Sequence, residues 1–235
     1  MNFGLKSIVI LKKTNNREGC FLIKAIIFDF DGVICESANI KTEAFGELFS
    51  QWPDVSNKAL EYHLVNTGVT RFQKFRYLYE ELLRLEYTDE IGEKLSDDFS
   101  AICFERVKQA PFVKGAQEFL EEYFEQYKLF VASASPLGEL KETIRVKNLE
   151  KYFGDIYGHP SLKKDVVKGI MQSRGYKKSE VVFVGDGESD LKAAKCNDVF
   201  FVLRKTSEND YLFERSKYKI DDLSALSDLI LKLPN

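Results

Sequence analysis

Four short apolar runs constrain this chain more than any other feature of its sequence. Residues 25–30, 129–132, 181–184 and 199–203 are dominated by Ala, Ile, Leu, Val and Phe. Runs of four to six such residues fit buried strands and are too short for helices. A fifth, weaker strand is expected at residues 155–157. Helical patterns fall between these runs, at residues 115–126, 137–148, 165–174 and 190–194. Strands alternating with helices specify a parallel sheet covered on both faces, an α/β fold. In such sheets ligands bind outside the carboxyl ends of the strands, near the point where strand order reverses.

The texture changes between residues 37 and 108. Apolar residues recur there at three- and four-residue spacing, as in Phe72, Phe75, Leu78, Tyr79, Leu82 and Leu83, with Glu, Lys and Arg between them. That is amphipathic helix, interrupted near Pro53, Gly68 and Thr88. Residues 1–23 read as a separate extension, either a small hairpin around Thr14–Gly19 or a loose segment, and no function attaches to them.

With 235 residues the chain suffices for one large domain or for a domain carrying an insert. Its net charge of −3, with acidic and basic residues intermixed, gives no case for nucleic acid or a membrane surface. Cys20, Cys35, Cys103 and Cys196 form no CxxC pair, which suits reduced thiols in the cytoplasm. The apolar run at residues 7–11 is too short for a signal-peptide core or a membrane span. With only His63 and His159, a histidine-based zinc site is not expected, so a metal site here must be built from oxygen.

Several expected strand ends carry polar residues. The first ends in Asp29-Phe30-Asp31-Gly32-Val33; two carboxylates this close repel each other unless a cation lies near. A solvated Asp-Gly turn accounts for the same residues equally well. The second ends in Ser133-Ala134-Ser135, where a hydroxyl and free amides form a phosphate cradle; for Ser135, before Pro136, a helix cap is the favoured reading. The run at 181–184 leads into Gly185-Asp186-Gly187-Glu188-Ser189-Asp190. Asp190 suits a helix N-terminus on structural grounds, whereas Asp186, flanked by glycines, is harder to explain as structure. Lys163 and Lys164 precede a helix, where cations are disfavoured. Grouped at one sheet edge, Asp29, Asp31 and Asp186 beside a lysine and a serine make a magnesium site with room for a phosphoryl group.

Taken in order, Asp29-Phe30-Asp31-Gly32-Val33, Ser133, Lys163 and Gly185–Asp190 resemble the four motifs of the haloacid dehalogenase superfamily, over roughly residues 24–205. The helical segment is similar to the cap of its phosphoglycolate phosphatase and β-phosphoglucomutase branch. The resemblance implies a Rossmann-like core, residues 24–36 and 109–235, with an inserted all-helical cap, residues 37–108. Lys163, 23 residues before Asp186, fills the third motif, with Lys164 the alternative by one place.

The implied activity is Mg2+-dependent hydrolysis of a small phosphate monoester. Asp29 would be the nucleophile, forming an aspartyl-phosphate. The Asp29 and Asp186 side chains and the Asp31 carbonyl would hold the metal, with Asp190 behind them. Ser133, Lys163 and neighbouring groups at Gly32 and Ala134 would hold the phosphoryl oxygens, and Asp31 would serve as general acid and base. An acid at position 31 argues against dehalogenation, because halide leaves unaided. Residues 67–71 resemble the cap's specificity loop, with Arg71 a candidate for an anionic group of the substrate. Lys74, Lys41 and Glu36 are weaker candidates. Cys35 is expected to be an ordinary packed cysteine, and the cap aromatics to be core. The rivals are a β-phosphoglucomutase-like phosphomutase, whose cap histidine is replaced here by Lys41, and a non-catalytic phospho-ligand binder. A monomer or homodimer is expected.

Overall fold

In the computed structural model, residues 23–66 and 69–234 are described; the hairpin considered for the N-terminal segment, together with Thr67 and Gly68, lies outside them. Strand β1 (Ala25–Phe28) is wholly buried. It pairs in parallel with β2 (Lys128–Pro136) on one side and β4 (Val181–Gly185) on the other. β3 (Phe153–His159) lies outside β2, and β5 (Phe200–Arg204) then β6 (Tyr218–Ile220) lie outside β4. The parallel sheet therefore has the order β3-β2-β1-β4-β5-β6. Strand order reverses between β1 and β4, which puts the expected ligand crevice at their carboxyl ends.

Alternation along each strand explains why both faces are dry. Ile26 and Phe28 join Val131, Val182 and Val184 in one core cluster, with Phe119, Leu120 and Ile144 from helices α5 (Ala116–Tyr123) and α6 (Leu137–Val146). Ala25 and Ile27 point the other way, to Phe130, Phe183, Val167 and Ile170, under α7 (Lys163–Arg174) and α8 (Glu188–Asn197). Each of these Ile, Val, Leu and Phe side chains contributes about 1.5–3 kcal/mol on burial.

Between β1 and α5, the chain forms α1 (Ala38–Phe49), α2 (Pro53–Val65), α3 (Arg71–Tyr77), a π-helical turn (Leu78–Leu83) and α4 (Asp89–Gln109). These pack around their own cluster of Phe45, Phe49, Phe75, Leu78, Phe99 and Cys103. Phe75 contacts Phe99 edge-to-face at 6.3 Å, a geometry the ring quadrupoles favour. Thr70 and Thr88 start α3 and α4 by accepting the backbone N–H of Gln73 and Ile91. Phe45, Phe49, Phe75 and Phe99 are thus core, as expected, while Tyr62, Tyr77 and Tyr79 are half-buried.

Element ends differ from the sequence reading in ways that matter for the site. β1 stops at Phe28, so Asp29 and Phe30 lie just past the strand. β2 runs on to Pro136, with a register shift between Ala132 and Pro136, and keeps Ser133 and Ser135 on the strand. Helix α7 begins at Lys163 and α8 at Glu188, each two residues early. Strand β6, three residues at the sheet edge, has no counterpart in the sequence reading. Among the described residues no helix is long and apolar enough to cross a membrane.

Candidate active site

The β1 and β4 ends meet at Asp29, whose backbone N–H donates to the Val184 carbonyl at 2.9 Å. The Asp29 carboxylate is buried. Its Oδ1 accepts the Phe30 N–H at 2.7 Å, and its Oδ2 accepts from Lys163 Nζ at 2.6 Å. Lys163 also donates to Asp190 Oδ1 at 2.6 Å, so one ammonium bridges two carboxylates. Lys164, its neighbour, is exposed. Burial alone would lower the Lys163 pKa, but Asp190 and Asp29 raise it, which keeps the group charged.

Asp29, Asp186 and Asp190 form a buried carboxylate cluster, with one oxygen of each within 4.8 Å of the others. Burial raises Asp29 to about 7, against the pull of Lys163, and Asp190 and Asp31 add to the rise. Asp186 is pushed well above the usual carboxylate range by burial and by its acidic neighbours. The two oxygens of Asp190 are already engaged, Oδ1 by Lys163 and Oδ2 by the Gly187 N–H at 3.0 Å. Asp190 thereby closes the first turn of α8 and positions Lys163.

Close packing around the cluster depends on glycine. Gly32 has φ +74°, and a Cβ there would lie 2.1 Å from Asp186 Oδ2. At Gly185 a Cβ would lie 2.3 Å from Asp190 Cβ.

The Asp31 side chain has hydrogen-bond partners of its own. It accepts from Ser37 Oγ at 2.7 Å, from Ser135 Oγ at 3.1 Å and from Lys41 Nζ. Burial would raise its pKa, yet Lys41, Ser37 and Ser135 together hold it below the usual carboxylate value. Ser37 sits at the α1 N-cap position but makes no cap bond, because its hydroxyl goes to Asp31. Ser135 is not a helix cap either. Pro136 fills that position, and Ser135 Oγ accepts from Lys41 Nζ at 2.5 Å and from Ser133 Oγ at 3.2 Å. The cap reading of Ser135 is therefore corrected, since its partners lie on α1 and beyond β1, out of reach of local pattern.

Above these groups is a cavity of about 90 Å³, bordered by Asp29, Asp31, Ser133, Ala134 and Asp186 on the sheet side. Lys41, Arg71, Lys74 and His63 border it from the helical layer, and Glu208 from the loop after β5. The Arg71 guanidinium is already engaged. It donates to both Glu139 oxygens, at 3.1 and 2.9 Å, and to Ser100 Oγ at 2.6 Å, joining α3 to α6. Glu36 pairs with Arg204, which also donates to the Gly32 carbonyl at 3.2 Å, so that pair braces the first turn from outside the cavity. Cys35 is buried and its thiol is pushed up to about 12 by burial, the packed cysteine expected.

Three residues escaped the sequence reading. His63 and Glu208 border the cavity from distant segments. Buried Asn209 donates to the carbonyls of Asp186 and Arg204, at 2.9 and 2.8 Å, and fixes the Asp186 loop. Nothing in their local sequence context signals these positions.

A buried acidic cluster at the switch point of a doubly wound sheet, under a layer of helices, defines the class of protein. The profile of the haloacid dehalogenase-like hydrolases matches residues 26–203, and the chain belongs to that family. It is similar to a phosphorylated carbohydrates phosphatase of Thermotoga maritima, 24% identical over 178 residues that cover 74% of this chain and 81% of the relative. A phosphoglycolate phosphatase of Vibrio parahaemolyticus is 27% identical over 194 residues, 74% of this chain and 79% of the relative. The fold is shared with a β-phosphoglucomutase structure from Clostridium difficile, with a TM-score of 0.72 and 15% identity over 89% of this chain and 98% of that one.

Proposed function

We propose that the chain is a Mg2+-dependent phosphatase that hydrolyses a small phosphate monoester through an aspartyl-phosphate on Asp29. The observation that carries this reading is the Asp29 carboxylate, buried at the cavity floor with Lys163 on one oxygen. Both phosphatase relatives support it.

The residues present fit a divalent cation. Asp29 and Asp186 are hard oxygen donors, and burial and mutual repulsion leave them short of countercharge. The Ser189 hydroxyl of the same turn is buried and, among the described residues, has no hydrogen-bond partner. Asp29, Asp186 and the Asp31 carbonyl would hold Mg2+. When bound, the ion supplies positive charge to a site that must admit a phosphate dianion.

The remaining steps belong to the chain. Lys163 holds Asp29 in place and offers positive charge to the transferring oxygens. Ser133 and the amides beside Ala134 and Gly32 orient those oxygens for in-line attack. Asp29 attacks phosphorus and the ester P–O bond breaks. Asp31, protonated from Lys41, gives that proton to the leaving oxygen; water then attacks the aspartyl-phosphate, its proton goes to Asp31, and the P–O bond to Asp29 breaks to release phosphate. Asp190 acts through Lys163 and does not touch the substrate.

The mutase alternative uses the same Asp29 and Asp31. Here the Asp31 carboxylate is occupied by Lys41, the residue that replaces that branch's histidine. Hydrolysis is the favoured outcome. Phosphate release from a panel of sugar phosphates, phosphoglycolate and nucleoside monophosphates tests it, with Mg2+ and with an Asp29→Asn control. Release from at least one ester that vanishes in the control supports the reading. Failure to release phosphate from any ester by folded protein contradicts it.

A further inference from the structure

Lys74, on α3, is the outlier among the cations of the cavity wall. Lys41 has Asp31 as its counterion, and Arg71 has Glu139. Lys163, at the cavity floor, has Asp29 and Asp190. The Lys74 side chain is buried, only 4% exposed, and among the described residues it forms no ion pair with any carboxylate. Its contacts are His63 Nδ1 at 3.3 Å and the His63 carbonyl at 3.4 Å, both neutral and both long.

A lysine in that position is costly to the fold. A buried ammonium without a counterion is strongly disfavoured. Accordingly burial, with the charge of Lys41, lowers Lys74 to about 7, against the pull of Glu208. Burial, with Lys74 and Lys41 nearby, also drives His63 down to about 2, which keeps that ring neutral. Packing does not explain the choice of residue. The Phe45 ring centroid lies 5.9 Å from Nζ, at the outer limit of a cation–π contact. Glu208 attracts Lys74 across the cavity without reaching it: that acid accepts from Thr42 Oγ1 at 3.2 Å and, among the described residues, makes no ion pair with Lys74.

A buried lysine without an ion-pair partner on the wall of a reaction cavity takes up its charge most readily when an anion sits beside it. Asp29 and Lys74 border the same small cavity, one from the sheet and one from the helical layer. The phosphoryl group to be cleaved belongs with Asp29 and Lys163, so the anion at Lys74 must be a second group on the same small molecule.

We infer that Lys74, with His63 beside it, seats a second anionic group of the substrate, making the substrate class a small phosphate monoester with an added carboxylate or phosphate. This inference rests on the phosphatase reading and sharpens it. It also gives Lys74 the selective contact that the sequence pattern assigns to Arg71, whose guanidinium is held by Glu139.

The test compares esters of similar size and different charge: phosphoglycolate, hydroxyethyl phosphate and ethylene glycol bisphosphate. kcat/KM is measured with Mg2+ for the wild-type protein and for Lys74→Met, a substitution that keeps most of the side-chain length and removes the charge. Thermal melting of both proteins checks folding. The wild type is expected to prefer one or both doubly anionic esters over hydroxyethyl phosphate, and which it prefers identifies the group seated. In Lys74→Met that preference should fall about 10- to 100-fold, the range for losing a charged hydrogen bond. A wild type without the preference, or a variant that keeps it, overturns the inference while leaving the phosphatase reading intact. A binding arm separates the two claims, using dissociation constants of the same esters for Asp29→Asn and for Asp29→Asn/Lys74→Met. Should no ester be hydrolysed, a binding preference lost only with Lys74 sustains the subsite and removes the phosphatase. The absence of a binding preference removes the subsite.

Discussion

Lys163 Nζ lies 2.6 Å from Asp29 Oδ2, with both side chains almost fully shielded from water. This contact places a buried cation against the carboxylate proposed to attack phosphorus. Lys163→Met should lower kcat by at least about 100-fold, as loss of one preorganised electrostatic donor does. Removing one partner of a buried ion pair also costs about 3–5 kcal/mol. Urea unfolding of the metal-free variant should show that loss, and Mg2+ should recover part of it. Unchanged kcat would remove Lys163 from the site.

Metal and proton should compete at the acidic cluster. Asp29 and Asp186 have pKa values raised in the folded protein, so the folded state holds these protons more tightly than the unfolded chain. Their contribution stabilises at low pH and is lost as pH rises from the ordinary 3.8 through about 7. Asp31, with a lowered pKa, works in the opposite sense, contributing stability that disappears as pH falls through its folded value. The cluster's share is therefore read as the difference between wild type and Asp186→Asn in EDTA. Wild type should lose Tm relative to the variant between about pH 4 and 7. The gain in Tm on adding Mg2+ should be larger at pH 8 than at pH 5. A gain independent of pH would count against metal binding by these carboxylates.

The Asp31–Lys41 contact predicts a shift in the pH–rate profile. Lys41→Met removes the main group that holds Asp31 down, so the limb of kcat/KM reporting Asp31 ionisation should move to higher pH. A profile that only drops, with no shift, would mean the lysine does not tune Asp31.

Gly32→Ala should weaken Mg2+ binding and lower Tm. A positive φ costs a non-glycine residue about 1–2 kcal/mol. In addition, the new Cβ would meet Asp186 Oδ2 at 2.1 Å and force that carboxylate to move. A titration of Tm against Mg2+ checks both effects, and wild-type affinity in the variant would contradict the placement of Asp186.

Glu139→Gln should destabilise the protein by roughly 3 kcal/mol, toward the low end for a broken buried pair because the Glu139 side chain is 24% exposed. Arg71→Leu/Glu139→Leu should recover much of this, since no uncompensated guanidinium remains. Urea midpoints of the three proteins make the comparison.

The sheet and the residues at its carboxyl edge were legible in the sequence for a definite reason. β1, β2, β4 and β5 are central and dry, so their apolar runs stand out, and the polar residues that end them mark the edge. β6 was not legible, because its three residues, Tyr218, Lys219 and Ile220, alternate in exposure and give too short a period to detect. Ser135 looked like a helix cap because its partners, Lys41 and Asp31, are 94 and 104 residues away in the chain. For Arg71 the sequence offers a guanidinium near a cavity but cannot show that Glu139 reaches it first. Lys74 is the converse case, since its lack of a counterion becomes visible only when the whole cavity wall is assembled.

The central claim, attack by Asp29, is tested most directly by acid quench. Enzyme is mixed with Mg2+ and a hydrolysed ester, stopped within one turnover, digested and mapped by mass spectrometry. The account predicts one phosphoryl group on the peptide containing Asp29, labile to hydroxylamine and absent in Asp29→Asn. Phosphate release at wild-type rate by Asp29→Asn, with no phosphorylated peptide in either protein, would contradict it.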